Sequence, residues 1–151
     1  MTPQTTPLAD ETHGDKARSF RRCLPAVARI LMGLIFFVFG LNGFLHFIPQ
    51  PKAPMPEAAL SFVGALMKPG YMLRLIFGTQ TIVGALLLVN RFVPLALALI
   101  APVVVNIVAF HVFLEPSGIA LAAVVLVLEA YLAWAYQQAY RPMLTMRATP
   151  A

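Results

Sequence analysis

The hydrophobic residues of this chain fall in four long blocks, at about Leu24–Phe47, Tyr71–Val89, Phe92–Leu114 and Ile119–Tyr140. A helix rises 1.5 Å per residue, so ~20 apolar residues cross the ~30 Å hydrocarbon core of a bilayer. Each block is long enough, and the pattern predicts four membrane-spanning α-helices. Pro25 and Pro94 stand where the first and third helices are expected to begin, a position at which proline loses no hydrogen bond. Pro102 falls inside the third and is expected to kink it.

The breaks between blocks set the connectivity. Asn90-Arg91 and Glu115–Gly118 are too short for anything but antiparallel neighbours. The first break, 48–70, is longer and holds Pro49, Pro51, Pro54 and Pro56, followed by EAALSFVGALMK. Those last residues make about three helical turns with one apolar face, too short to span. They are expected to lie in the interface or over the mouth of the bundle, ended by Pro69-Gly70. The expected fold is therefore all-α: an integral membrane four-helix up-down bundle with a short interfacial helix between spans one and two. Its parts are a disordered cytoplasmic tail (1–22), the transmembrane domain (23–141) and a second cytoplasmic tail (142–151). A cleaved signal peptide fits the N-terminus less well. The first block is longer than an h-region of ~7–15 residues and has no clear small-x-small cleavage site.

Composition agrees with lipid as the solvent. Of 151 residues, 60% are hydrophobic and only 11% charged, against roughly a quarter in soluble domains. The net charge of +5 does not point to nucleic acid, because the cations form no contiguous surface. They flank the apolar blocks instead. With the N-terminus inside, the inner side holds Lys16, Arg18, Arg21, Arg22, Arg91, Arg141 and Arg147. The outer side holds Lys52 and Lys68, with Arg74 just within span two. The positive-inside rule then places both termini in the cytoplasm. Tyr131, Trp134, Tyr136 and Tyr140 cluster toward the inner end of span four, like an interfacial aromatic belt. Cys23 is the sole cysteine, which excludes an internal disulfide, a CxxC redox pair and a cysteine-based zinc site.

Polar side chains inside spans must turn inward and find partners. The candidates are Asn42 and His46, Arg74 and Gln80, Asn106 and His111, and Glu129. Counted along each span, all seven fall in the outer half of the membrane. Together they are expected to form one pocket, with Glu129 at its floor and His46 and His111 at its rim. Arg29 is expected to snorkel toward the inner headgroups. Asn42 and His46 are four apart and share a face; Asn106 and His111 are five apart and share one only if the helix is locally adjusted. Such a pocket suits a quinone headgroup, a small anion or a proton. The alternative is interhelical glue, each hydrogen bond worth about a kcal/mol. His46, His111 and Glu129 match no established metal or haem spacing, so no metal is assigned. No phosphate loop, nucleophile elbow or HExxH motif is present. Gly33, Gly40 and Gly43 lie on one side of span one, and Gly84 shares a face with Gln80; these are expected to be packing surfaces for neighbouring helices.

The run ARILMGLIFFVFGLNGF, with Arg29, Gly33, Phe36, Gly40 and Gly43, resembles the first span of the DoxX-like family. The segment FGTQTIVGALLLVNRFVPLAL, with Gly78, Gly84, Asn90, Arg91 and Pro94, looks like its second span and turn. The stretches APVVVNIVAFHVFL and LEAYLAWAY resemble spans three and four of a subgroup, so the likeness covers about residues 26–144. The resemblance implies a small four-span protein of a bacterial-type plasma membrane. Some bacterial members associate with membrane redox complexes that handle thiol stress, and a branch related to DoxD is tied to thiosulfate:quinone oxidoreduction. It implies lipid and a membrane redox protein as partners, and a quinone as the cofactor to consider. The chain is then a subunit rather than an enzyme on its own. Many family members carry glutamate where this chain has Gln80. A non-catalytic carrier or assembly partner is the alternative function.

Overall fold

The computed structural model describes residues 11–49 and 54–144. Among them there is no strand. Six α-helices follow one another: α1 (Glu11–Leu45), α2 (Glu57–Met67), α3 (Met72–Leu88), α4 (Val93–Phe113), α5 (Ile119–Ala135) and the one-turn α6 (Gln137–Tyr140). A 3-10 turn at Pro116–Gly118 leads into α5, and another follows α6 at Arg141–Leu144.

Three segments are long and apolar enough to cross a membrane: Cys23–Leu45 of α1, Val93–Phe113, and Pro116–Ala135. The count becomes four when α2 and α3 are taken as one span broken by an 88° bend. Helix α3 alone has 17 residues, roughly 26 Å at 1.5 Å each. The bend falls at Pro69-Gly70, as the sequence predicts. The backbone N–H of Gly70 donates to Met67, and its φ of 75° lies in the region that only glycine enters freely.

Two boundaries differ from expectation. Helix α1 starts at Glu11, within the stretch expected to be a disordered tail, and it runs through Pro25 instead of beginning there. No proline interrupts residues 11–24, and a nucleated helix extends at little cost per residue. Span four ends at Ala135 rather than Tyr140, because the chain breaks at Tyr136 before α6. Residues 1–10 and 145–151 of the two expected tails, and Lys52 and Arg147 of the charge count, lie outside the described residues.

Helix α1 packs on α3, α3 on α4, α4 on α5, and α5 returns to α1. Met32, Phe36, Val83, Leu87, Leu97, Ile100, Val104, Val125 and Leu132 fill the interior. The tightest seam is α1 on α3. A Cβ on Gly84 would stand 2.7 Å from the Cα of Phe37, and one on Gly40 would stand 2.6 Å from the backbone nitrogen of Thr81. Side chains at either place would wedge the helices apart. Glycine lets the backbones meet, the means by which membrane helices gain packing where no hydrophobic force drives them together. The expected packing role of these glycines is what the fold uses.

The seam is antiparallel. Gly33 near the start of the apolar part of α1 faces Leu87 and Leu88, and Gly43 near its end faces Phe77. Helices α4 and α5 also run oppositely, since the ring of His111 rests on Gly118 at one end. Tyr140, beyond the other end of α5, donates its hydroxyl proton to the carbonyl of Pro94 at 2.9 Å. The turn between α3 and α4 carries positive φ at Asn90 (56°) and Phe92 (51°). Asparagine tolerates that region; phenylalanine is held there by the turn.

Candidate functional site

A cavity of about 490 Å³ lies between α3 and α4 beneath α2. Its roof is Phe62, Val63 and Leu66 of α2, and Met72, Leu73, Ile76, Phe77 and Gln80 form the α3 wall. The α4 wall is two adjacent rows of residues four apart, Pro102-Asn106-Phe110 and Val103-Ile107-His111. Neither α1 nor α5 reaches it, so the cavity lies on the flank of the bundle. The roof is pinned by Phe62 against Phe110, ring centroids 5.8 Å apart.

Gln80, Asn106 and His111 are the hydrogen-bonding side chains of this lining, and the rest is apolar. Gln80 is 7% exposed, whereas Asn106 opens outward. Asn106 and His111 both line this cavity, from neighbouring rows of one face of α4. Such a lining resembles small-molecule sites generally: mostly apolar, with a few polar groups converging on one region.

The histidine is held in a defined way. Its Nδ1 lies 2.8 Å from the carbonyl oxygen of Glu115 and 3.6 Å from that residue's carboxylate. The carboxylate also accepts from the backbone N–H of Ser117 at 3.3 Å. A hydrogen bond from the Ser117 side chain is the main reason the Glu115 carboxyl titrates below its ordinary value; burial opposes it, and the Ser117 backbone N–H and the charge of His111 add smaller effects. Gly118 makes room for the ring, since a Cβ there would stand 2.6 Å from Nδ1 and 2.7 Å from Nε2. The partnership with Glu115 and Gly118 was not anticipated from the sequence. Its signal is an i, i+4 His-Glu pair that straddles the end of a helix.

The other expected pocket residues lie elsewhere. His46 and Arg74 line a second, smaller cavity of about 300 Å³ beside Gly43 and Gly70. Leu66, Leu73 and Phe77 are shared by the two cavities. Asn42 borders neither. Its Oδ1 accepts from the backbone N–H of Ile48 at 2.7 Å, closing the end of α1 where His46 takes a positive φ of 53°. Glu129 also borders neither cavity. It is 9% exposed, and its Oε2 has no partner among the described residues. It lies toward the Tyr140 end of α5, where its charge acts on that phenol. The single seven-residue pocket is therefore corrected to one three-residue cavity, a two-residue neighbour, a turn-capping amide and a core acid. Counting along a helix gives depth but not direction, and α5 packs on α1 and α4 away from the cavity.

Arg29 is corrected too. It does not snorkel but is buried, 8% exposed, with its guanidinium donating to the carbonyls of Leu87 and, at 3.3 Å, Leu88. Among the described residues no three of His, Cys, Asp and Glu come together as a metal site. Compared with protein-family models, curated proteins and solved structures, the chain matches none.

Proposed function

We propose that this chain is a DoxX-like integral membrane protein that binds a quinone or a similar small lipid-phase molecule in the α3–α4 cavity, as a subunit of a membrane redox system. One observation carries the reading: an apolar cavity on the flank of the bundle, with Gln80, Asn106 and His111 as its polar groups. A ligand of this class lives in hydrocarbon and carries a head with hydrogen-bonding oxygens. The lining supplies amide donors and acceptors, a ring nitrogen, and apolar walls for the remainder. The side chains alone supply no electron carrier, so the redox chemistry belongs to the ligand and a partner protein.

The membrane arrangement belongs to the same proposal. Helices α1, α3, α4 and α5 cross in alternation as a four-span up-down bundle, and α2 lies at the outer interface. Both termini face the cytoplasm of a bacterial-type plasma membrane. The support is the distribution of Lys and Arg and the antiparallel packing of α1 on α3 and α4 on α5. Thiol labelling of single cysteines at positions 90 and 116 should reach them from opposite faces.

The test is purification in mild detergent and mass spectrometry of the small molecules and proteins that remain bound. A quinone should co-purify with the native chain and be depleted in Gln80→Leu and Asn106→Leu. If the purified chain holds no such molecule and binds none on addition, the reading fails. The exposed amide of Asn106 favours one other reading, a carrier or assembly partner that uses this flank against another membrane helix. That reading predicts a stable protein complex without a bound small molecule.

A further inference from the structure

Three elements meet at the smaller cavity: His46 brings the end of α1 to it, Met67 the end of α2, and Arg74 the first turn of α3. Its lining is the more polar of the two cavities, and no carboxylate stands among its walls. Arg74 and His46 are its ionisable residues, and both are exposed. Neither side chain makes a hydrogen bond or ion pair to another described residue; His46 is bonded only through its backbone N–H, which donates to Asn42. Among the described residues the one ion pair joins His111 to Glu115. The first turn of α3 holds no acidic residue, so nothing in the protein offsets the charge there. Arg29 shows the contrast, because its guanidinium is taken up by the carbonyls of Leu87 and Leu88. One arginine ties helices together and the other is left open.

The geometry points to an oxyanion site: the smaller cavity takes a phosphate or carboxylate head group, held by Arg74 with His46 beside it. A guanidinium offers five N–H donors and no acceptor, in a planar fork that matches paired anionic oxygens. The imidazole adds a ring N–H. A chain attached to such a head would meet apolar surface at once, since Leu73 and Phe77 line both cavities. The head group of a membrane lipid and a free phosphate ion share this chemistry. The site is separate from the Gln80 cavity and does not rest on the ligand proposed there.

The test uses the full-length protein in an uncharged detergent at low salt, where exposed charges are least screened. Three probes are compared: dioleoylphosphatidylglycerol, dioleoylglycerol with the same chains but no phosphate, and inorganic phosphate. The phospholipid should bind about tenfold more tightly than the diacylglycerol, the worth of one charge-assisted hydrogen bond. Arg74→Gln should remove most of that preference, Arg74→Lys should keep part of it, and His46→Gln should cause a smaller loss. Arg91→Gln, which removes a cation beyond the other end of α3, should leave it intact. With no probe present Arg74→Gln should melt with the native chain, because its side chain has no protein partner to lose. Phosphate that raises the melting temperature of the native chain but not of Arg74→Gln supports the site and makes the free ion its source. Stabilisation by the phospholipid alone supports it and makes the lipid head group the source. Equal affinity for the two lipids with no effect of phosphate overturns the proposal. So does a preference that survives Arg74→Gln or falls equally in Arg91→Gln. Quinone retention, measured on the same samples, reports on the larger cavity independently.

Discussion

The guanidinium of Arg29 donates to the carbonyl oxygen of Leu87, 58 residues further along the chain, and so ties α1 to the closing turn of α3. The last carbonyls of a helix have no partner within it, and the negative end of its dipole favours a cation. Arg29, from a buried position, adds a charged donor to the Leu87 carbonyl, which also accepts from the backbone N–H of Asn90 at 3.3 Å, and reaches Leu88 as well. Arg29→Leu should therefore lower stability by roughly 2 kcal/mol, the usual worth of a hydrogen bond to a charged group. Thermal unfolding in detergent should show a drop of several degrees. Arg29→Lys should recover only part of it, since one ammonium reproduces the reach poorly.

The α1–α3 seam gives a sharper contrast. Gly84→Ala places a Cβ against the backbone of Phe37, which cannot yield as a side chain does. That variant should express poorly or melt far below the native chain. Gly64→Ala in α2 meets nothing within 4 Å. It should be neutral or slightly stabilising, because alanine is the better helix former by up to about 1 kcal/mol. Equal behaviour of the two variants would deny that close approach holds the seam.

Filling the cavity separates binding from folding. Val103→Trp projects into the space between α3 and α4, bounded by Ile76 and Phe62 across the gap. It should abolish retention of the lipid-phase ligand yet leave the melting temperature within a few degrees, since the space is already open. Ligand retention measured by mass spectrometry decides it.

Glu129 presents the opposite case, a polar group that the core accommodates without answering. Its Oε2 finds no partner among the described residues, and Val125 and Leu132, one turn away on either side, are buried. Replacing such a group with an apolar one of similar shape is neutral or stabilising. Glu129→Leu should melt no lower than the native protein and leave ligand binding at the distant cavity intact. A marked loss of stability would mean that the carboxyl has a partner after all.

Burial first, and the neighbouring Glu129 carboxylate second, hold the Tyr140 phenol above its ordinary value. The phenol also anchors α6 to Pro94. A raised folded value means the neutral form is favoured in the folded state. Its contribution to stability is present below the unfolded value of about 10 and disappears as pH rises through the folded one. Ultraviolet titration should show one tyrosine ionising later than the rest. That late step should be missing in Tyr140→Phe, together with its share of the alkaline loss of stability.

The sequence made the helices legible because their signals are local. Pro56 before α2, Pro69-Gly70 after it, and Asn90 at a positive φ mark boundaries that physics enforces within a few residues. The candidate site was legible only in its ingredients. Gln80, Asn106 and His111 stood out as polar residues among apolar ones, and all three line one cavity. Asn42 stood out equally, yet its amide is consumed by the turn at Ile48. Glu129 stood out most and faces another way. The direction in which a side chain points depends on how each helix is rotated in the bundle, and that follows from contacts distant in sequence, such as Gly84 on Phe37. Arg29 was misplaced for the same reason, since nothing near it in the sequence announces the carbonyls of Leu87 and Leu88.

The roof of the cavity has a status of its own. In α2 only Ala59 is buried, and the helix meets α3 across a right-angled elbow instead of joining the glycine seam. Phe62, Val63 and Leu66 thus shape the chamber without holding the four long helices together. On the proposed ligand reading, mutations there would change which molecule fits, while the frame that keeps the protein folded stays untouched. The shape of the cavity and the cohesion of the bundle are thus written in different residues, so one can vary without the other.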